Sequence, residues 1–160
     1  MFRNLSANRK AEDGAASHQL SLVIGPTEVA DVMTGRVVTL SPHHSFNDVT
    51  HLMSDRNFRH CVVVDTHGKV VGVISDRDIL RSLARNPNSR TKSLDQIMTH
   101  NPITVMRNTP ILDALAKIVS KRINCLPVVE EDGSVCGIVT STDLLKSYRK
   151  LLELVQKQGR

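Results

Sequence analysis

Shifted by 65 residues, this sequence lies on itself. Residues 29–83 align with 94–148 without a gap, pairing Met33 with Met98, Thr34 with Thr99, Asp48 with Asp113 and Val63 with Val128. The register continues through Gly68 with Gly133, Gly72 with Gly137, Asp78 with Asp143 and Leu80 with Leu145. Register held over so many positions marks a duplicated structural unit. A unit this small does not bury a hydrophobic face alone. Two copies are therefore expected to pack face to face about a pseudo-twofold axis, each completing the other's core.

Hydrophobic periodicity sets the elements of one unit. Thr27 starts a short helix running to about Met33, followed by a strand over Val37–Leu40. Phe46, Val49, Leu52 and Met53 share one helical face and predict a helix over 46–56. His60–Val64 is a continuous apolar run, hence a buried strand, and Lys69–Ile74 is its hairpin partner. Gly68 and Gly133 stand where such a turn needs positive φ. A helix over 76–84 closes the first unit, and the same order returns after residue 93. The last helix runs from about Ser141 to Gln158, past the end of the repeat. Leu144, Leu145, Tyr148, Leu151, Leu152 and Val155 form its apolar stripe; core burial accounts for the first turns, and the extra turns, with Leu154, offer a dimer contact. The expected layout is a flexible extension over 1–26 with a short strand at Leu20–Ile24, a first unit over 27–84, a linker over 85–93, a second unit over 94–149 and a helical extension over 150–160.

Two stretches carry candidate chemistry, Gly72-Val-Ile-Ser75-Asp-Arg77-Asp78 and Gly137-Ile-Val-Thr140-Ser-Thr142-Asp143. Each ends a strand on a hydroxyl residue and opens a helix with an aspartate in its first turn. Such an N-terminus presents unpaired N–H groups that suit phosphate, and the carboxylate can accept from the paired hydroxyls of a ribose. Ser75-x-x-Asp78 and Thr140-x-x-Asp143 equally resemble capping boxes, which occur in proteins that bind nothing. Gly72 and Gly137, inside strands, mark a close approach, either of a ligand or of one repeat to the other.

Other function classes find less support. Cys61, Cys125 and Cys136 form no CxxC pair and read as buried thiols. His43, His44, His51, His60, His67 and His100 lack ligand spacing, so no metal is expected. No nucleophile motif, Walker A sequence or GxGxxG appears, which argues against an enzyme. The net charge of +5 is scattered and lacks interleaved aromatics, so nucleic-acid binding is the weaker reading. No apolar run reaches membrane-spanning length and the N-terminus lacks a signal-peptide core, which predicts a cytoplasmic protein.

The tandem order, with Val32-Met33-Thr34 and Ile97-Met98-Thr99, Phe46-Asn-Asp-Val and Ile111-Leu-Asp-Ala, His60–Asp65 and Cys125–Glu130, and the two Asp turns, resembles a pair of CBS domains, a Bateman module. The resemblance covers about 29–148. It implies an α+β fold of two βαββα-like units packed through their sheets, and a homodimer. It also implies an adenosine-containing ligand (AMP, ADP or ATP, otherwise S-adenosylmethionine or NAD) in clefts between the repeats. By that likeness cleft A uses Thr39, Arg59 and His60 with Thr140, Thr142 and Asp143. Cleft B uses Thr104, Asn124 and Cys125 with Ser75, Arg77 and Asp78. The aspartates would hold ribose hydroxyls, Thr140, Thr142 and Ser75 would donate to phosphate, and Arg77 would add charge. Cys61-Val62 departs from the family's Leu-Pro, kept at Leu126-Pro127, and Arg77 replaces the counterpart Thr142, so the clefts should differ. The expectation is a stand-alone regulatory module without catalysis, acting on an effector protein in trans. A ligand-free dimerisation scaffold and a nucleic-acid-associated CBS protein are the alternatives.

Overall fold

The structure, a computed structural model, describes residues 25–158. The expected extension before residue 25 and its strand at Leu20–Ile24 lie outside the described residues.

The first repeat forms β1 (Thr39–Leu40), α1 (Phe46–Arg56), β2 (His60–Val64), β3 (Val70–Ser75) and α2 (Asp76–Arg85). Next comes β4 (Thr99–His100). The second repeat continues with β5 (Val105–Met106), α3 (Ile111–Lys121), β6 (Cys125–Val129), β7 (Val135–Thr140) and α4 (Ser141–Gln158). β1 runs parallel to β2, and β2 antiparallel to β3 around Gly68 at φ 77°. β5, β6 and β7 repeat that arrangement around Gly133 at φ 84°.

Helix ends follow local chemistry. At α1 the Ser45 Oγ accepts the Asp48 N–H, while the Asp48 carboxylate accepts the Ser45 N–H at 2.7 Å. This capping box satisfies orphan donors at both residues. α3 starts at Pro110 with no side-chain cap. The first unit opens not on an α-helix capped by Thr27 but on a 3-10 turn, Val29–Asp31, whose cap is Glu28. Asp31 reaches back to the Thr27 and Glu28 N–H groups, so this carboxylate, not the threonine, fixes the turn. Residues 87–91, inside the expected linker, form a second such turn. Its Ser89 is fully buried and donates its hydroxyl to the Ser82 carbonyl at 3.0 Å.

The repeats exchange their opening segments. β4 belongs in sequence to the second repeat yet pairs with β3 of the first, Gly72 opposite His100 and Val73 opposite Thr99. Reciprocally, Thr34 pairs with Ile138, with N–H to O distances of 2.9 and 3.0 Å. The cores follow suit. Leu94 and Met98 bury themselves among Val49, Cys61, Val63 and Ile74 of the first repeat. Val29 is buried among Ala114, Leu126, Val128 and Val139 of the second, with Met33 packed on that cluster. Full burial of such side chains contributes about 1.5–3 kcal/mol each. A third cluster, centred on Val62, Cys125 and Ile138, joins the two sheets about the pseudo-twofold axis.

This exchange settles the purpose of the strand glycines. A Cβ on Gly72 would collide with the Met98 side chain. One on Gly137 would lie 2.8 Å from Met33 Sδ and 3.1 Å from the Thr34 carbonyl. The close approach is that of one repeat to the other.

Candidate functional site

Each Asp turn is a complete capping box. Asp143 Oδ2 accepts the Thr140 N–H at 2.9 Å and the Thr140 hydroxyl at 2.6 Å, and the Asp143 N–H donates to Thr140 Oγ1 at 3.3 Å. Ser75 and Asp78 repeat this at 2.9, 2.6 and 3.2 Å. The arrangement occupies one carboxylate oxygen and leaves the other. Among the described residues Asp143 Oδ1 has no partner, while Asp78 Oδ1 has Arg81 at 3.8 Å. The cap and the ligand-binding readings of the sequence are therefore compatible on the same carboxylate. The hydroxyls of Ser75 and Thr140 have already given their single proton to Oδ2 and keep only acceptor capacity. The free donors at this turn are therefore the Thr142 hydroxyl, which is exposed, and the backbone N–H groups of the helix start.

The structure gathers Arg59 and His60 with Thr140, Thr142 and Asp143 around a cavity of about 500 Å³, cleft A. It gathers Asn124 and Cys125 with Ser75, Arg77 and Asp78 around one of about 400 Å³, cleft B. Both sizes suit a small-molecule site. Thr39 and Thr104 line neither cavity. Thr39 lies in β1 opposite Val62, one step past the chain entrance that meets the cleft. The entrances themselves take that place: Thr34, Arg36, Val37 and Val38 in cleft A, and Thr99, Asn101, Pro102 and Ile103 in cleft B. Sequence reasoning missed these, along with the helix ends Asn57-Phe58 and Lys121-Arg122-Ile123 and the basic pair Lys146 and Arg81. The signal was available: apart from Lys121, every one of these residues has its counterpart in the other cleft at the repeat offset.

Each cleft thus combines an apolar wall, a single aspartate at a helix N-terminus and several cations. Val37, Val38, Phe58 and Ile138 supply the wall in cleft A, and Val73, Pro102, Ile103 and Ile123 in cleft B. His60 lines both cavities. Burial holds its imidazole below the ordinary histidine value, against the pull of Asp76 and Asp78, so it is neutral at pH 7 and offers one donor and one acceptor. Burial pushes the Cys125 and Cys61 thiols up to about 12, which makes them poor nucleophiles. A further cavity of about 600 Å³ lies behind Asp143 and Lys146, bordered by Gly25, Asp31, Lys150 and Leu154. Among the described residues no cluster of three or more His, Cys, Asp or Glu gathers to hold a metal, and no helix is long and apolar enough to cross a membrane.

Comparison with known proteins agrees with this geometry. The CBS domain model matches residues 29–85 and 94–150. A solved CBS domain pair of protein MJ0100, in complex with 5′-methylthioadenosine and S-adenosyl-L-methionine, superposes with a TM-score of 0.71 at 33% identity, over 76% of this chain and 99% of that one. The CBS-domain containing protein ATU1752 from Agrobacterium tumefaciens does so with 0.71 at 26% identity, over 76% and 93%. Among curated relatives, a homoserine O-acetyltransferase from Methanohalobium evestigatum is 32% identical over 133 residues, 83% of this chain. The chain spans about a quarter of the length of such relatives (26% of that one).

Proposed function

The chain belongs to the CBS domain family, carrying two copies in tandem, and from that premise we propose that it is a regulatory module binding an adenosine-containing ligand of the AMP, ADP and ATP class between its repeats. The observation that carries this is the half-used carboxylate. In both clefts one Asp oxygen holds the helix cap while the carboxylate lines a cavity of nucleoside size beside an apolar wall and cations. A ribose offers paired hydroxyls to the remaining oxygen, the apolar wall suits adenine, and the helix N-terminus and cations suit phosphate. The solved pair from MJ0100, a third identical to this chain, binds two adenosine compounds.

Ligand would act by population shift. It bridges elements of both repeats, favours one angle between them and changes the surface a partner senses. That partner acts in trans or as another part of a longer chain. Catalysis forms no part of this role. The protein is a homodimer in this reading. Support comes from the second repeat, where Leu112, Leu115 and Val119 on α3 and Leu145, Tyr148, Leu152 and Val155 on α4 are all exposed by more than two fifths.

Calorimetric titration with AMP, ADP, ATP, S-adenosylmethionine and NAD tests the proposal, beside Asp143→Asn and Asp78→Asn. The amide oxygen keeps a cap acceptor but loses the charge. At least one adenosine compound should bind, and one of the two variants should weaken it tenfold or more, about 1.4 kcal/mol, with little loss of stability. Absence of binding by all five, in a folded protein, would leave a ligand-free scaffold whose aspartates serve as caps alone.

A further inference from the structure

We propose that the two clefts divide their ligands by charge: cleft B takes the nucleoside polyphosphate, and cleft A the adenosine ligand with little or no phosphate. This rests on the adenosine reading above and goes beyond it by assigning a ligand class to each cavity.

The clefts share a plan but not a charge. Arg77, Arg81, Lys121 and Arg122 line cleft B. Arg36, Arg59 and Lys146 line cleft A. Existing pairings widen the gap. Arg59 Nε lies 3.9 Å from Asp76, which leaves Arg36 and Lys146 in cleft A without an acidic partner among the described residues. In cleft B Arg81 faces Asp78 at 3.8 Å, which leaves Arg77, Lys121 and Arg122. The extra charge sits where phosphates would gather. Arg77 is in the first turn of α2, at the position Thr142 takes in α4, beside the free N–H groups of the helix start. Guanidinium groups there present forked donors matched to successive phosphate oxygens, which a threonine hydroxyl cannot reproduce.

Arg122 adds a second, independent sign. It caps α3 in the left-handed region at φ 53°. The equivalent residue at the end of α1, Asn57, has the same φ of 53° and is of a type that tolerates it. Cleft A therefore has the locally favourable residue, and cleft B has a long cation held in a conformation that disfavours it. Such a departure from local preference gathers at sites where the side chain has a task.

The ribose contact separates the clefts in the opposite sense. Among the described residues Asp143 Oδ1 stands without a partner, ready for sugar hydroxyls, whereas Asp78 Oδ1 is approached by Arg81. Affinity in cleft A is thereby weighted toward the nucleoside, and in cleft B toward the phosphate chain.

The test dresses cleft B in the residues of cleft A. The double variant Arg77→Thr, Arg122→Asn introduces residues already accommodated at the same positions of the other repeat, so folding is preserved. AMP, ATP and inorganic tripolyphosphate are titrated into this variant, into wild type and into the cleft A variant Arg36→Gln, Lys146→Gln. The double variant should bind ATP at least tenfold more weakly, lose tripolyphosphate and keep AMP within about threefold. The ATP effect should shrink as salt rises, because these cations face solvent. If nucleotides bind and the ATP-to-AMP preference survives the double variant, or falls only in the cleft A variant, the charge assignment is wrong while the adenosine reading stands. If tripolyphosphate binds and is lost in the double variant while no nucleotide binds, the adenosine reading is wrong and cleft B is a polyphosphate site. Binding of none of the three probes to wild type removes the charge assignment, and the adenosine reading falls with it if ADP, S-adenosylmethionine and NAD also fail to bind.

Discussion

The two repeats keep apolar side chains where they are hidden and part company in chemistry where they are wet. Val63 and Val128, Gly72 and Gly137, and the two capping boxes occupy equivalent places with equivalent contacts. On the outer face of the middle helices, Leu112, Leu115 and Val119 of α3 stand where α1 has Asn47, Thr50 and Ser54. In the clefts Arg77 and Arg122 stand where the other copy has Thr142 and Asn57. A duplicated fold keeps what packing demands twice, and its copies acquire separate tasks on their outer helical face and in their cavities.

A difference between the two cores gives the largest expected effect. Leu126 and its counterpart Cys61 are both fully buried. Leu126→Ala should destabilise by about 3 kcal/mol, within the usual 2–5 for such cavities. Cys61→Ala removes one sulfur atom and should cost about 1 kcal/mol, near the centre for point changes. Urea unfolding reads both, and equal losses would break the claim that the second core relies more on this position.

The outer faces come next. Leu115→Glu places a charge in the proposed dimer contact and should raise the dissociation constant more than tenfold in sedimentation equilibrium, over 1.4 kcal/mol. Thr50→Glu, the same change on the polar face of α1, should leave it within about twofold. Equal effects would mean that both repeats carry the contact.

A smaller contrast lies in the strand glycines. Gly137→Ala forces the Thr34 carbonyl, held by paired hydrogen bonds to Ile138, and should cost at the upper end of the ~1–3 kcal/mol typical of overpacking. Gly72→Ala meets the unbranched Met98 side chain, which can turn aside, and should cost less. Thermal unfolding that ranks them the other way would show that the methionines, not the paired backbone, set the tolerance.

The smallest effect separates two helix starts. Hydrogen bonds from the Ser45 backbone and hydroxyl hold the Asp48 carboxyl below the usual carboxylate range. A depressed folded value means that its contribution is present above the unfolded value near 3.8 and is lost as pH falls through the folded one. Protection of the amides over 46–49 from exchange should therefore fall as pH drops below about 3.8, while that of 111–114, behind the uncapped Pro110, changes less. Parallel behaviour of the two starts would remove the cap as the cause.

How far the sequence could be read follows from what kind of signal each element carries. Phe46–Arg56 and Ser141–Gln158 were legible because apolar spacing and a cap fixed both ends. Both Asp turns were legible because they came in pairs, whereas the chain entrances and helix ends that make up the larger part of the cleft lining were not read, although nearly all of them pair at the same offset. Thr39 and Thr104 misled because a strand residue and a cleft residue one to five positions apart look alike in composition. The exchange of opening segments was not legible. β4 is two exposed residues long, too short for any periodicity, and its pairing is fixed by the distant edge of β3. Ser89 was hidden for a related reason: in a stretch rich in Asn, Ser and Arg, nothing local tells that one hydroxyl is buried against the end of α2.

The exchanged segments also govern when this chain can fold. As the protein is made, residues 39–85 emerge with most of the first core, but its fourth strand and the side chains of Leu94 and Met98 are not yet there. The second core needs Val29 and Met33, which were made first and must be kept available until α3 and β7 exist to receive them. Neither half has a finished state to wait in. The two repeats should therefore assemble in one step and melt in one cooperative transition, with no plateau for a half-folded protein.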